Sequence, residues 1–289
     1  MTESIPQIKQ SLMEHGYIAD EGLCAAIFVA RSLDRPLLIE GAAGVGKTQI
    51  AKTMAEVLGR PLVRLQCHVG IDETRALCEW NYQKQLLAIQ AHASGTGAAG
   101  GADAIMESIF SEAFLLERPL LRSIRSEEPV VLLIDELDKT DEEFEAFLLE
   151  LLAEYQVTIP EIGTIRAVSK PFTVLTSNGA RPLSDALRRR CAYAWLDYPD
   201  TEKEIAILKT RFPGAEELLV RDVAEAVAEL RAQPRIMKKP SIAESIDWLA
   251  ALEALGAKRL GRLETEATIS AVLKGRADIE EGLSPKPVE

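Results

Sequence analysis

The chain has 289 residues, of which 47% are hydrophobic and 27% charged, and a formal net charge of -12. This length predicts a large α/β unit with a smaller appendage. No apolar run approaches the roughly 20 residues that span a bilayer, and no basic leader with an apolar core begins the chain, so we expect a cytoplasmic protein. The acidic balance argues against a surface that neutralises nucleic-acid phosphates and favours protein partners.

The cysteines and histidines do not form a recognisable metal-binding pattern. No two cysteines have C-x-x-C spacing, and we interpret them as free thiols. Cys67, His68 and Cys78 are the one cluster that a zinc site could use, and it lacks a fourth ligand in sequence.

The first chemical motif follows a strand predicted at 36–39. Helices are predicted before it, over 23–30, and after it, over 51–58. The loop matches the phosphate-binding pattern G-x-x-x-x-G-K-[ST], and the candidate ligand-binding residues are Gly41, Ala42, Ala43, Gly44, Val45, Gly46, Lys47, Thr48 and Gln49. Backbone N–H groups of such a loop bind a β-phosphate, Lys47 can reach the β- and γ-oxygens, and Thr48 can ligate Mg²⁺. The motif therefore predicts a nucleotide site for ATP and Mg²⁺.

A second strand is predicted at 61–65, and the pattern then loses its regularity. We interpret residues 67–109 as an insertion in the nucleotide-binding fold, with a flexible segment at 95–101. The aromatic patch at 80–82 is compatible with ordinary packing and with a surface that meets another protein.

A continuous apolar run at 130–134 predicts a buried central strand with two acids at its carboxyl end. Ligands of parallel sheets bind at that end. Asp135 can hold the Mg²⁺ shell, and Glu136 can orient and polarise a water for attack on the γ-phosphate. Together with the phosphate loop, this acidic pair predicts nucleotide hydrolysis.

Further elements follow in order. Apolar residues at helical spacing over 144–155 predict a helix, and 156–168 reads as a β-hairpin. Another buried strand at 172–176 leads to Asn178. This side chain can hydrogen-bond the attacking water or the γ-phosphate, and an Asx turn explains it equally well.

Beyond residue 198 the strands stop and helices take over. We therefore divide the chain into a nucleotide-binding α/β domain over 1–198, a helical domain over 199–281 and a flexible tail over 282–289. Thr201 with Glu204, and Ser241 with Glu244, each match a capping box at a helix start.

Four stretches together resemble an AAA+ ATPase of the MoxR branch, most closely its CoxD-like group. They are the phosphate loop, the acid-tipped strand 130–136, Asn178, and 183–191 with its three consecutive arginines. The likeness extends from about residue 16 to about residue 248. The stretches diagnostic of the group, which ATP chemistry does not require, are 79–85, 114–120 and 196–199.

The resemblance implies an α/β fold with a P-loop AAA+ parallel sheet flanked by helices and a smaller all-α lid domain. It implies Walker A and Walker B roles for the two motifs and a sensor-1 role for Asn178. It also implies an arginine finger at Arg190, with Arg189 as the second choice, which reaches the γ-phosphate of a neighbouring subunit. The alternative is that the three arginines form a solvated turn.

The resemblance further implies a homo-oligomeric ring, a hexamer, that acts with a von Willebrand A-domain protein. The implied client is a molybdenum hydroxylase such as carbon monoxide dehydrogenase, whose metal site needs maturation. One element departs from the family pattern, because no arginine occupies 239–245, where a sensor-2 residue is expected. Arg235, Lys238 and Lys239 are the candidate substitutes.

Three other functions compete with this interpretation. A GTP-dependent switch would use the segment 138–141, but it begins with Asp and abuts the acid-tipped strand. A small-molecule kinase leaves the three arginines and the helical domain unexplained. A DNA-acting AAA+ motor is the strongest rival, and the acidic charge balance opposes it.

Overall fold

The computed structural model describes residues 3–93, 109–159 and 162–284. Its strands are β1 (Leu37–Gly41), β2 (Leu62–Gln66), β3 (Cys78–Trp80), β4 (Leu115–Glu117), β5 (Val131–Asp135), β6 (Gln156–Ile159), β7 (Gly163–Arg166), β8 (Phe172–Ser177) and β9 (Ala192–Leu196). Five of them form one sheet in the order β2-β5-β8-β1-β9, and all of its pairings are parallel. The carboxyl ends of these strands therefore share one edge.

The sequence of each strand matches its place in the sheet. The central strands β1, β5 and β8 are buried at every position, as expected of strands covered on both faces. The outer strands β2 and β9 alternate between buried and more exposed residues. The predicted strands at 36–39, 61–65, 130–134 and 172–176 are confirmed to within two residues.

Helices cover both faces of the sheet. Those described are α1 (Ile5–Glu14), α2 (Glu21–Ser32), α3 (Lys47–Leu58), α4 (Glu73–Ala76), α5 (Tyr82–Ala93), α6 (Pro119–Arg125), α7 (Glu142–Glu154), α8 (Asp185–Arg190), α9 (Thr201–Arg211), α10 (Glu217–Ala232), α11 (Ile242–Ala254), α12 (Arg262–Val272) and α13 (Arg276–Gly282). One core joins α1, α2 and α3 to the sheet, and a second joins α6 and α7 to its other face. The predicted fold class is confirmed.

The segment between β2 and β5 contains a two-stranded antiparallel sheet. β3 pairs with β4, which brings the two diagnostic stretches 79–85 and 114–120 together. Arg118 forms an ion pair with Glu79 at 2.6 Å, and Lys84 lies over the ring of Phe114. In the aromatic patch, Trp80 packs edge-on against Phe110. The predicted flexible segment 95–101 falls outside the described residues.

The hairpin predicted at 156–168 forms as β6 and β7, with a register that pairs Gln156 with Arg166. The middle of its turn, at 160–161, lies outside the described residues, as does most of the predicted tail, at 285–289.

Helices α9 to α13 follow the last strand and share a third core. Trp248 is its largest fully buried side chain, and its indole N–H donates to Thr268 Oγ1 at 2.7 Å. Within the ranges that the structure describes, no helix has the length and apolar character needed to cross a membrane.

A buried ion pair joins α9 to α10. The Arg231 guanidinium donates to Glu204 at 2.5 and 3.0 Å, and also to the carbonyl oxygens of Pro199 and Pro240 at 3.2 and 2.7 Å. Ser245 donates to the same carboxylate. Arg231 thus connects the segment that leaves the sheet with the segment that enters α11.

One predicted capping box is present and the other is wrong. Ser241 caps α11, and its backbone N–H and hydroxyl both bond Glu244. At α9 the capping residue is Asp200, whose carboxylate accepts from Lys203 N. Glu204 is not available as a box partner because its carboxylate is buried against Arg231.

Candidate nucleotide-binding and hydrolysis site

The phosphate loop connects β1 to α3 in a conformation that depends on its glycines. Gly44 has φ +78° and Gly46 has φ +98°, both in the left-handed region that disfavours other residues. A Cβ at Gly44 would collide with the side chain of Ser241, which lies at the start of α11. The loop therefore contacts the start of α11 at Gly44, where a residue with a side chain would not fit.

Lys47 is buried at the start of α3 and folds back on its own loop. Its Nζ donates to the carbonyl oxygens of Gly41 and Ala42 at 2.8 and 2.6 Å. Burial lowers the pKa of Lys47, and the nearby carboxylates of Asp138 and Asp135 oppose that shift. The ammonium is therefore held in place by weak acceptors that phosphate oxygens can replace.

Asp135, at the carboxyl end of β5, is almost fully buried beside the loop. Its two oxygens lie 3.0 and 3.2 Å from Thr48 Oγ1, across 87 positions of sequence. Thr176 Oγ1 donates to it at 2.6 Å from β8, and Arg64 donates to it at 2.6 Å from β2. The structure thus brings the two predicted magnesium ligands, Thr48 and Asp135, into direct contact.

Glu136 follows Asp135 in an unusual backbone conformation. Its φ is +59° and ψ +49°, which turns the chain sharply at the end of the strand. Its backbone N–H donates to Thr176 Oγ1 at 2.9 Å. Its carboxylate accepts from Gln66 Nε2 and from Lys139 Nζ, both at 2.6 Å. The predicted catalytic carboxylate is therefore at the shared edge of the sheet and is held there by two neighbours.

Asn178 lies at the same edge, after β8. Its backbone N–H donates to the buried carboxylate of Asp138 at 3.1 Å, and Ala180 N donates to the other oxygen at 3.0 Å. Asp138 therefore shapes the turn that carries Asn178. Asp141 caps α7 by accepting from Phe144 N at 2.9 Å. Two of the residues of the segment 138–141 have these local roles, which leaves the guanine-binding interpretation without support.

The three consecutive arginines of α8 have different surroundings. Arg188 pairs with the buried carboxylate of Glu40 at 2.8 Å, while Arg189 and Arg190 are exposed. Arg190 makes a long 3.4 Å contact with the carbonyl of Leu149. The helix leads into Ala192, which pairs with Leu37 at the amino end of β1.

Arg190 therefore lies at the opposite end of the sheet from its own phosphate loop. Four residue steps along β1 separate Leu37 from Gly41, which is roughly 13 Å of strand. The structure does not bring Arg190 together with Lys47, Asp135, Glu136 and Asn178, which share the other edge.

A cavity of about 200 Å³ adjoins the phosphate loop. Gly44, Val45, Gly46 and Gln49 form one wall. The rest comes from the turn after α1, the end of β9, α9 and α11, with Tyr17, Ile18, Leu196, Asp197, Lys203, Ile207, Arg211, Ile242, Ala243 and Ile246 among the lining residues. A lining of mainly apolar side chains with a few polar groups suits a flat heterocycle.

The cations that face this cavity from the helical region are Lys203 and Arg211. The predicted substitutes for a sensor-2 arginine, Arg235, Lys238 and Lys239, are not among its lining residues. The Lys239 ammonium donates to the carbonyl of Gln233, and the Arg235 guanidinium is largely exposed, 3.8 Å from Glu281. The position of α9 against the loop is set by tertiary packing, so the sequence carried no signal for Lys203 or Arg211.

Cys24, Cys67 and Cys191 are buried, and Cys78 is partly buried. Cys67 is buried next to the acidic edge, and burial raises its pKa to about 12. Among the residues that the structure describes, no group of three or more histidine, cysteine, aspartate and glutamate side chains is arranged to hold a metal ion.

The residues present fit a magnesium nucleotide. Thr48 and Asp135 offer adjacent hard oxygen donors, which Mg²⁺ prefers. The Arg64 guanidinium pairs with Asp135, so a positive charge already lies where a metal ion would lie.

The family model for the AAA domain of the dynein-related subfamily matches residues 36–191, which is more than half of the chain. The chain belongs to this family. The matched AAA domain begins just before β1 and ends just after α8, so it contains the phosphate loop, the acidic pair, Asn178 and the three arginines. As an AAA domain protein, the chain is an ATPase.

Relatives of this AAA domain protein occur in staphylococci. An uncharacterized protein of Staphylococcus saprophyticus is 22% identical over 227 residues, which is 76% of each chain. An uncharacterized protein of Staphylococcus epidermidis is 24% identical over the same share of both chains. The match to these relatives is longer than the AAA domain itself. Because they are uncharacterized, they do not indicate an activity.

Solved structures of similar fold include RuvB of Thermotoga maritima. A mutant of that protein has a TM-score of 0.48 and 18% identity, with 92% of this chain and 70% of the other covered. The RuvB Holliday junction branch migration motor has a TM-score of 0.45 and 19% identity, covering 92% and 68%. These TM-scores and identities support no functional inference for the AAA domain protein. Its fold is described by its own strand order.

Proposed function

We propose that the protein is an AAA+ chaperone of the MoxR type, closest to the CoxD-like group, that remodels a protein client with energy from ATP hydrolysis. The client class is a molybdenum hydroxylase such as carbon monoxide dehydrogenase, and the partner is a von Willebrand A-domain protein. The observation that carries the hydrolytic part is the contact of Thr48 with Asp135, which joins the phosphate loop to the acidic strand in one site.

Each residue of the site then has a definite task. Bound MgATP would supply the phosphoanhydride bond and a metal charge on its phosphate oxygens. Lys47 would exchange the carbonyls of Gly41 and Ala42 for those oxygens, and Thr48 and Asp135 would hold the metal. Glu136 would accept the proton of the attacking water at its carboxylate, and the Asn178 amide would orient that water.

Assembly would complete the site. Arg190 lies at the far end of the sheet from its own loop, which supports the proposal that its guanidinium acts on a second copy of the chain. A head-to-tail contact of this kind closes into a ring, and we propose a hexamer. Hydrolysis would then depend on assembly, because an arginine finger contributes roughly 10³- to 10⁵-fold to turnover.

The chaperone role is supported by the two diagnostic stretches that β3 and β4 bring together. The small sheet and the following α5 expose large apolar side chains, among them Tyr82, Leu86, Leu87 and Leu116. An apolar surface of this kind suits a protein partner, and the net charge of -12 opposes nucleic acid. The helical region over 199–281 would act as a lid, since α11 touches the phosphate loop at Gly44.

The test is an affinity capture from the native host with tagged Glu136→Gln protein in ATP. The matched control is tagged Lys47→Ala, which retains the same surface and cannot hold nucleotide. We expect a von Willebrand A-domain protein or a molybdenum enzyme to be recovered with Glu136→Gln alone. Equal recovery by both variants would contradict an ATP-driven client cycle, and nuclease-sensitive recovery of DNA-bound factors would favour a DNA motor instead.

A further inference from the structure

Arg64 makes an ion pair that the nucleotide-site motifs do not include. It lies on β2, opposite Leu133 of β5, and its guanidinium donates to Asp135 Oδ2 at 2.6 Å. The Arg64 side chain is 46% exposed, whereas the side chain of Asp135 is 3% exposed. A cation that is open to solvent at one end therefore covers the buried carboxylate of the proposed magnesium ligand.

The other groups on Asp135 are neutral. Thr48 and Thr176 reach it through hydroxyls, and Lys47 bonds the loop carbonyls instead. Among the residues that the structure describes, Arg64 makes the one ion pair of this carboxylate. A buried carboxylate without a counter-charge is strongly disfavoured, so Arg64 provides the charge that a metal ion would otherwise provide.

The same guanidinium also contacts the second acid indirectly. It donates to Gln66 Oε1, and Gln66 Nε2 donates to Glu136 at 2.6 Å. Lys139 donates to the same oxygen of Glu136. Both Asp135 and Glu136 thus accept hydrogen bonds from donors of their own chain. Arg64 is the donor that blocks the proposed metal ligand Asp135.

We infer that Arg64 is a resident counter-cation of Asp135 that Mg²⁺ must displace, so that this residue sets how strongly nucleotide binding depends on Mg²⁺. The inference rests on the proposed magnesium site at Thr48 and Asp135. A guanidinium and a metal ion compete for one carboxylate oxygen, because each needs the same lone pairs. Arg64 is a positioning residue in this role and does not take part in bond cleavage.

Two opposite effects follow from this competition. In the absence of Mg²⁺, Arg64 neutralises Asp135 and reduces its repulsion of the triphosphate, so Arg64 favours metal-free nucleotide binding. In the presence of Mg²⁺, Arg64 has to leave the carboxylate, so it opposes metal binding. Loss of Arg64 should therefore weaken one process and strengthen the other, which a simple loss of structure would not do.

The experiment is equilibrium binding of a fluorescent ATP analogue to the full chain, in EDTA and in a Mg²⁺ titration. For Arg64→Ala we expect metal-free binding to weaken by roughly 2- to 5-fold and half-saturation to occur at roughly 2- to 5-fold less Mg²⁺, the range for a half-exposed ion pair. Arg64→Lys keeps the charge and should lie closer to the wild type. Arg60→Ala, two residues before β2 begins, is the control and should change neither value.

The outcomes separate the inference from the proposed function. If Arg64→Ala changes affinity by the same factor with and without Mg²⁺, the resident-cation role is wrong and Arg64 is structural. If the wild type binds the analogue in neither condition, the proposed nucleotide site itself fails. If Arg64→Ala melts at a much lower temperature, Arg64→Gln, which retains a donor toward Asp135 without the charge, replaces it and is judged by the same two values.

Discussion

Charged side chains are buried in two places. One is the phosphate-loop edge of the sheet, and the other is the junction between the sheet and the helical region. The two places differ in the hydrogen-bond partners that these charges have. At the junction, Glu204 accepts from both terminal nitrogens of Arg231 and from Ser245. At the loop, Lys47 donates to two carbonyl oxygens, and Asp135 shares the half-exposed guanidinium of Arg64 with Gln66.

This difference in partners separates charges that stabilise the fold from charges that we expect to bind a ligand. Burial raises the pKa of Glu204, while Arg231 and Ser245 oppose the shift, so the charge of this carboxylate depends on its protein partners. Burial likewise lowers the pKa of Lys47, but the acceptors on its ammonium are uncharged carbonyl oxygens of its own loop. Removing a charge at the junction should therefore cost stability, and removing one at the loop should cost binding.

The largest effect is expected for Lys47→Ala. Loss of the ammonium should abolish detectable ATP binding, because no other cation of the described chain lies on the loop carbonyls. The free energy of unfolding should change little, since burial already disfavours this charge. Equilibrium binding of a fluorescent ATP analogue and chemical denaturation measure the two quantities. A large loss of stability with binding retained would reverse the proposed distinction.

The next largest effect is expected for Arg190, which lies neither at the phosphate-loop edge nor at the junction with the helical region. Arg190→Ala should retain ATP affinity and lose turnover on the order of 1000-fold, as expected for an arginine finger. A mixture of Arg190→Ala and Lys47→Ala should regain part of the ATPase activity, because each variant supplies what the other lacks at a shared interface. No recovery in a mixture that still assembles would contradict action on a second copy of the chain. Arg189→Ala tests the second choice for the finger, and we expect it to retain turnover.

A smaller effect is expected at the junction. Arg231→Ala leaves Glu204 buried without its counter-charge and should lower the free energy of unfolding by about 3–5 kcal/mol. ATP affinity of the folded protein should be unchanged. Chemical denaturation followed by tryptophan fluorescence suits this test, since Trp248 lies in the adjoining core.

The control for that variant is Arg259→Ala on the same helical region. Arg259 pairs with Asp222 at 2.6 Å, but its side chain is 63% exposed. Water replaces such a partner readily, so stability should hardly change. Equal losses in Arg231→Ala and Arg259→Ala would mean that the buried pair has no special role.

The two places also differ in how far the sequence predicts them. The phosphate loop and the acid-tipped strand are contiguous patterns, so the strands, the loop and the meeting of Thr48 with Asp135 followed from local spacing and the rule for parallel sheets. Arg64 and Gln66 escaped prediction because their partners lie about 70 positions away on another strand.

The junction was mispredicted for a related reason. Asp200 and Thr201 are adjacent residues that both suit a helix start, and the spacing of Thr201 to Glu204 favoured the wrong one. Only the fold brings Arg231 against Glu204 and so removes that carboxylate from the helix end. The cavity residues Tyr17, after α1, and Lys203 and Arg211, on α9, likewise come from two distant segments that packing alone unites.

The most direct test of the hydrolytic site is Glu136→Gln, measured for ATP binding and for turnover in the same preparation. The substitution keeps the size of the side chain and removes its ability to accept a proton. We predict an ATP affinity close to that of the wild type and turnover reduced by at least roughly 100-fold. Normal turnover in Glu136→Gln would contradict the assignment of the catalytic carboxylate at the end of β5.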